Sequence, residues 1–135
     1  MSKKKYAENF VTIPFVQGSK GPLMSLNSEK LNGFNVQIIF AYAYETGITG
    51  KSTEPHVHDF EETVFFIGSD PNKFDELGAV VEMSMGEKGQ EEKHVFDVPT
   101  AVVIPAGVPH CPMVTKSIEK PYLCMAVSLT DKYSH

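Results

Sequence analysis

The 135-residue chain has no arginine, no tryptophan and only two cysteines. All twelve of its cations are therefore lysines. Without a guanidinium it lacks the planar two-pronged donor that proteins favour for carboxylates and phosphates. That lowers the expectation of a dicarboxylate or phosphate ligand without excluding one. Cys111 and Cys124 are too few for a disulfide framework and fit no zinc-knuckle spacing, so they read as buried, reduced thiols of a cytoplasmic protein. Long apolar runs are also missing. The longest, around residues 38–44, falls far short of the ~20 residues a membrane helix needs. Neither a Gly-rich phosphate loop nor a serine with a nearby base signature is visible. Seventeen acidic against twelve basic residues give a net charge of −5, which argues against nucleic acid or an anionic membrane as a partner. The start Met1, Ser2, Lys3, Lys4, Lys5 is basic, but no apolar stretch of secretory type follows it.

What the chain does contain is punctuation. Ten glycines and nine prolines cut it into short pieces, and no long segment holds a helical period. Runs rich in Val, Ile, Phe, Tyr and Thr lie between the breaks and predict strands at 10–16, 35–44, 61–67, 79–85, 93–98, 101–104, 113–116 and 122–129. Turns are expected at 18–22, 47–51, 68–72, 86–90, 105–109 and 117–120. A short helix at 71–77 would have Asp70 as its cap and Pro71 in its first turn. About eight short strands mean a single all-β domain over residues 1–135, a sandwich or a barrel. Residues 1–9 read as a flexible end. The apolar stretch that follows is either an edge strand or one that crosses onto a partner subunit's sheet.

The chemistry concentrates in two places. Gly50, His56, His58 and Glu62 set two histidines at i and i+2 with a glutamate at i+6. Same-parity residues of a strand share one face, so these three side chains can converge. Two imidazoles and a carboxylate suit a first-row divalent cation. A fourth candidate, His110, follows the Pro/Gly turn of Pro105, Gly107 and Pro109. Taken singly, each piece has a plainer reading: a surface histidine pair, a solvated glutamate, a packed loop histidine. The conjunction of three of the five histidines with a same-parity glutamate is what favours the metal.

These residues resemble the cupin family. Its first motif, G-x5-H-x-H-x3/4-E-x6-G, takes Gly50, His56, His58 and Glu62, with Gly68 one residue early. Its second, G-x5-P-x-G-x2-H-x3-N, takes Pro105, Gly107 and His110, and departs at Pro99 and Val114 where a glycine and an asparagine are usual. The resemblance spans residues 33–129 and implies an antiparallel double-stranded β-helix, or jelly-roll barrel, with that stretch as its core. It also implies a homodimer and one divalent ion (Fe, Mn, Ni, Co, Cu or Zn) held by His56, His58, Glu62 and His110. Open positions on such an ion would admit a small organic ligand.

Alternation from the ligands nominates Val64, Phe66 and, less firmly because a loop intervenes, Phe60 as pocket lining. Tyr42, Tyr44, Met83, Met85, Phe96 and Cys124 are nominated from neighbouring strands, although an inward aromatic is more often plain core. His94 is the remaining polar residue of interest, as an acid/base group or a partner of a ligand, because an ordinary imidazole titrates near neutrality. Cys111, next to His110, should face away from the metal. The favoured function is a metal-dependent enzyme on a small organic molecule, of dioxygenase type or of isomerase, decarboxylase or lyase type. The alternative is a non-catalytic module that binds a metal or small molecule.

Overall fold

In the computed structural model, residues 4–19 and 21–130 are described. The β-branched and aromatic runs form ten strands: β1 (Val16–Gly18), β2 (Gly21–Leu26), β3 (Gln37–Ala43), β4 (Gly47–Thr49), β5 (Glu62–Gly68), β6 (Ala79–Met85), β7 (Glu92–Phe96), β8 (Thr100–Ile104), β9 (His110–Ile118) and β10 (Tyr122–Ser128). One sheet runs β1-β2-β3-β10-β5-β8 and the other β4-β9-β6-β7. All pairings are antiparallel. From β3 onward every connection except the β6–β7 hairpin changes sheet, which is the winding of a jelly roll. The two sheets stay separate instead of closing into one barrel.

The core lies between their inner faces. Phe66, Val81, Met83, Ile104 and Tyr122 are each at most 2% exposed, and burying a side chain of this size contributes about 1.5–3 kcal/mol. Register fixes which residues look inward. Glu62, Val64 and Phe66 of β5 stand opposite Ser128, Ala126 and Cys124 of β10, which stand opposite Gln37, Ile39 and Ala41 of β3. The intervening residues form an outer face that is also apolar: Phe40, Tyr42, Phe65, Ile67, Met125 and Val127.

Local departures from the sequence expectations have identifiable causes. The strand expected at 10–16 begins only at Val16: among the described residues no strand pairs with residues 10–15. Phe15 packs instead across Phe40 and Tyr42, at ring-centroid distances of 5.8 and 6.2 Å. Strands β2 and β4 occupy ground read as turns at 18–22 and 47–51. Gly21 reverses the chain at φ 125° and Pro22 is then tolerated at a strand's first residues. The helix expected at 71–77 is a single 3-10 turn, Pro71–Lys73, on which the carboxylate of Asp70 accepts the Asn72 N–H at 2.9 Å. Part of the expected flexible end, residues 1–3, lies outside the described residues.

Candidate metal centre

The two chemical stretches are brought together by backbone hydrogen bonds. His56 N–H donates to the His110 carbonyl and His110 N–H donates to the His56 carbonyl, both at 3.0 Å. Gly107 N–H donates to the His58 carbonyl at 2.8 Å, and Gly107 holds φ 84° to do so, a conformation glycine adopts without cost. Gly68 answers a different need: a Cβ there would strike the Glu76 carbonyl. Residues 57–61 are not strand, yet burial still alternates, with His58, Phe60 and Glu62 inside and Val57, Asp59 and Glu61 outside.

The ligating nitrogens of His56, His58 and His110 all lie within 4.8 Å of one another. Their ring centroids are 4.4–5.1 Å apart. Glu62 joins them: its Oε1 is 3.3 Å from His110 Nε2 and 4.0 Å from His58 Nε2. His58, Glu62 and His110 are buried, whereas His56 is half-buried. His110 Nδ1 lies 2.9 Å from the Val108 carbonyl, which can only accept, so Nδ1 carries the proton. Nε2 is then the nitrogen that faces the carboxylate oxygen, as a lone pair in the neutral ring and as a second N–H donor in the cation. Two acceptors at that range repel unless a positive charge lies between them. Burial opposes ionisation of Glu62, but hydrogen bonds and charge from His110, Ser128 and His58 outweigh it and hold its carboxyl below the usual range. Lysine is not among those groups. This donor set fits a divalent transition ion, whose bonds of about 2.0–2.1 Å to nitrogen span most of the observed separation.

The nominated lining residues divide. Phe60 is buried and stacked on His58 at 4.6 Å and 11°. Met85 pairs with His110 across β6 and β9. Val64, Phe66, Met83, Phe96 and Cys124 belong to the core, with Phe66 against Phe96 at 5.0 Å. Tyr42 is corrected: it alternates with buried Ala43 and stands on the outer face, because β3 turns its even-numbered residues away from the second sheet. Tyr44 is corrected too, lying beyond the end of β3, exposed against Gly21. His94 is on edge strand β7, 63% exposed in its side chain and 3.0 Å from Glu92, so it is a rim residue paired outside the histidine group. Cys111, expected by alternation to face away from the metal, is buried. At φ 83° its backbone breaks the strand pattern and both His110 and Cys111 are buried. Burial, and then the charge of Glu62, push its thiol up to about 12. Ser128, which sequence reading missed, donates its hydroxyl to Glu62 Oε2 at 2.8 Å.

An antiparallel jelly roll with a histidine cluster between its sheets at one end defines the class. The fold is that of the cupins. The chain superposes on oxalate decarboxylase of Bacillus subtilis at a TM-score of 0.61 and 13% identity, over 90% of this chain and 28% of that one. The same enzyme at pH 4.6 gives 0.61 and 14% over 91% and 28%. A further structure, from work on the enzyme's Mn(II) centres, gives 0.61 and 14% over 90% and 28%. The chain thus spans less than a third of the length of these relatives. No protein-family model matches it, and no curated protein does. Among the described residues, no helix is long and apolar enough to cross a membrane.

Proposed function

We propose that the protein is a metal-binding cupin in which His56, His58, Glu62 and His110 hold one divalent first-row ion, and that it acts as an enzyme on a small organic molecule. The observation that carries this reading is the meeting of three imidazole nitrogens within 4.8 Å beside a buried carboxylate. Once bound, such an ion supplies Lewis acidity or access to dioxygen chemistry. The protein's own share is to fix the rings, exclude water below them with Val64 and Phe66, and present Phe60 as an apolar wall against His58. His56 is the most exposed of the four residues, although its ring nitrogens are themselves buried.

Oxalate is not carried over from the decarboxylase. Structures of that enzyme include variants at an arginine and a tryptophan, and this chain has neither residue type. A dicarboxylate would meet no guanidinium here. The second reading, a non-catalytic module, is favoured by the burial of His58, Glu62 and His110, since catalysis needs an open coordination position. A reducing, cytoplasmic setting is supported by two free, buried thiols.

The test is elemental analysis of protein purified without added metal, repeated for His56→Ala and His110→Ala. Near-stoichiometric metal in the parent and a loss of tenfold or more in both variants is expected. Absence in the parent, or equal occupancy in all three, overturns the metal. Water-proton relaxation of the Mn(II)-loaded protein then separates the readings, because only an enzyme site needs exchangeable water on the ion.

A further inference from the structure

We propose that Ser128 is the positioning residue of this centre: its hydroxyl holds one oxygen of Glu62 so that only the other is offered to the histidines. The inference rests on the metal reading above. β10 and β5 place Ser128 directly opposite Glu62, and Ser128 is 1% exposed. Its Oγ lies 2.8 Å from Glu62 Oε2, while Oε1 is the oxygen that lies 3.3 Å from His110 Nε2 and 4.0 Å from His58 Nε2. The two carboxylate oxygens are chemically equivalent. What distinguishes them is the serine, which engages one and leaves one.

The serine has polar neighbours on the same sheet. Gln37 of β3 stands opposite Ser128, is buried, and donates from Nε2 to Ser25 Oγ of β2 at 2.8 Å. Glu62, Ser128, Gln37 and Ser25 thus come from four consecutive strands of one sheet, β5, β10, β3 and β2. The next inward residues of β10, Ala126 and Cys124, offer no comparable donor: one has none, and the other is a thiol. A carboxylate with one oxygen engaged by a donor is biased toward ligating through the other. That keeps a coordination position for a guest, which links Ser128 to function as well as to affinity.

The experiment measures Co(II) affinity of the full chain by chelator competition for the parent, Ser128→Ala, Glu62→Ala and the double variant. Hydrogen-bond partners of metal ligands typically contribute 10–100-fold to affinity. Ser128→Ala is expected to weaken binding by that factor, with an altered Co(II) absorption spectrum. In the Glu62→Ala background the same change should cost nothing more, since the serine acts only through the carboxylate. A change below twofold in the parent background overturns the proposal, as does an equal loss in both backgrounds. Should Ser128→Ala fail to fold, Ser128→Cys keeps the shape and replaces the hydroxyl with a much weaker donor, with the same outcomes required. A parent that takes up no Co(II) brings down the metal reading itself, an outcome distinct from a parent that binds and a serine that does not matter.

Discussion

At Cys111 and Cys124 burial does what composition alone could only suggest. Both thiols are pushed up to about 12, Cys111 by burial and then Glu62, Cys124 by burial and then Cys111 and Glu62. At pH 8 the thiolate fraction is then on the order of one in ten thousand, and the thiolate is the nucleophile. Both cysteines should resist a thiol reagent in the folded protein and react at once in denaturant; rapid labelling of the native protein would contradict this. The same shifts set a pH dependence. The folded state retains protons that unfolded thiols release near 9, so stability is whole below pH 9 and declines as pH rises from 9 toward 12. Tyr122, raised chiefly by burial, adds in the same direction. Urea midpoints measured from pH 7 to 11 should fall above pH 9; a flat profile would sink the argument.

At the scale of strands, the two sheets are joined through three hydroxyls. Tyr122 of β10 meets Thr115 of β9 at 2.7 Å and Thr49 of β4 at 3.1 Å, and the two threonines are 2.9 Å apart. This triangle ties the larger sheet to the smaller one. Tyr122 lies six residues along β10 from Ser128, about 20 Å at the rise of a strand. Tyr122→Phe should therefore cost about 0.5–1.5 kcal/mol for the hydrogen bonds lost, because the two threonines keep each other as partners, and leave Co(II) affinity as it was. Denaturant unfolding and the chelator competition check the two halves; a loss of affinity with no loss of stability would reverse the assignment of this end as purely structural.

The whole molecule presents more apolar surface than its core requires. The outer face of the larger sheet carries Phe40, Tyr42, Phe65, Ile67, Met125 and Val127, and the segment before β1 exposes Tyr6, Phe10 and Ile13, with Phe10 at 83%. Patches of this kind mark interaction surfaces. The segment also carries Lys4 and Lys5, while the chain as a whole is at −5, so a second copy offers both apolar contact and opposite charge. We expect a homodimer built on this segment and face. Sedimentation equilibrium at micromolar concentration should show a dimer, and replacing Phe10 and Ile13 together by Ser should raise its Kd at least tenfold. A monomeric parent would refute it.

The run of β-branched and aromatic residues between glycines and prolines was enough to read an all-β chain and most of its strands, because a strand's local chemistry is written in its own residues. The spacing of His56, His58, Glu62 and His110, and the turn at Gly107, were legible for the same reason: ligand types and turn glycines are local signals. Alternation also showed that Tyr42 and Ala43 face opposite ways, but not which way is in. That was decided by which sheet covers which face, as was the exposed place of His94 on an edge strand. Residues 10–15 had the composition of a strand but no partner strand among the described residues. Ser128 could not be found at all from the sequence, since 66 residues separate it from Glu62 and only the β5–β10 register sets them side by side. Local chemistry selects the elements and the donor types; long-range pairing, a property of no single segment, decides what each of them touches.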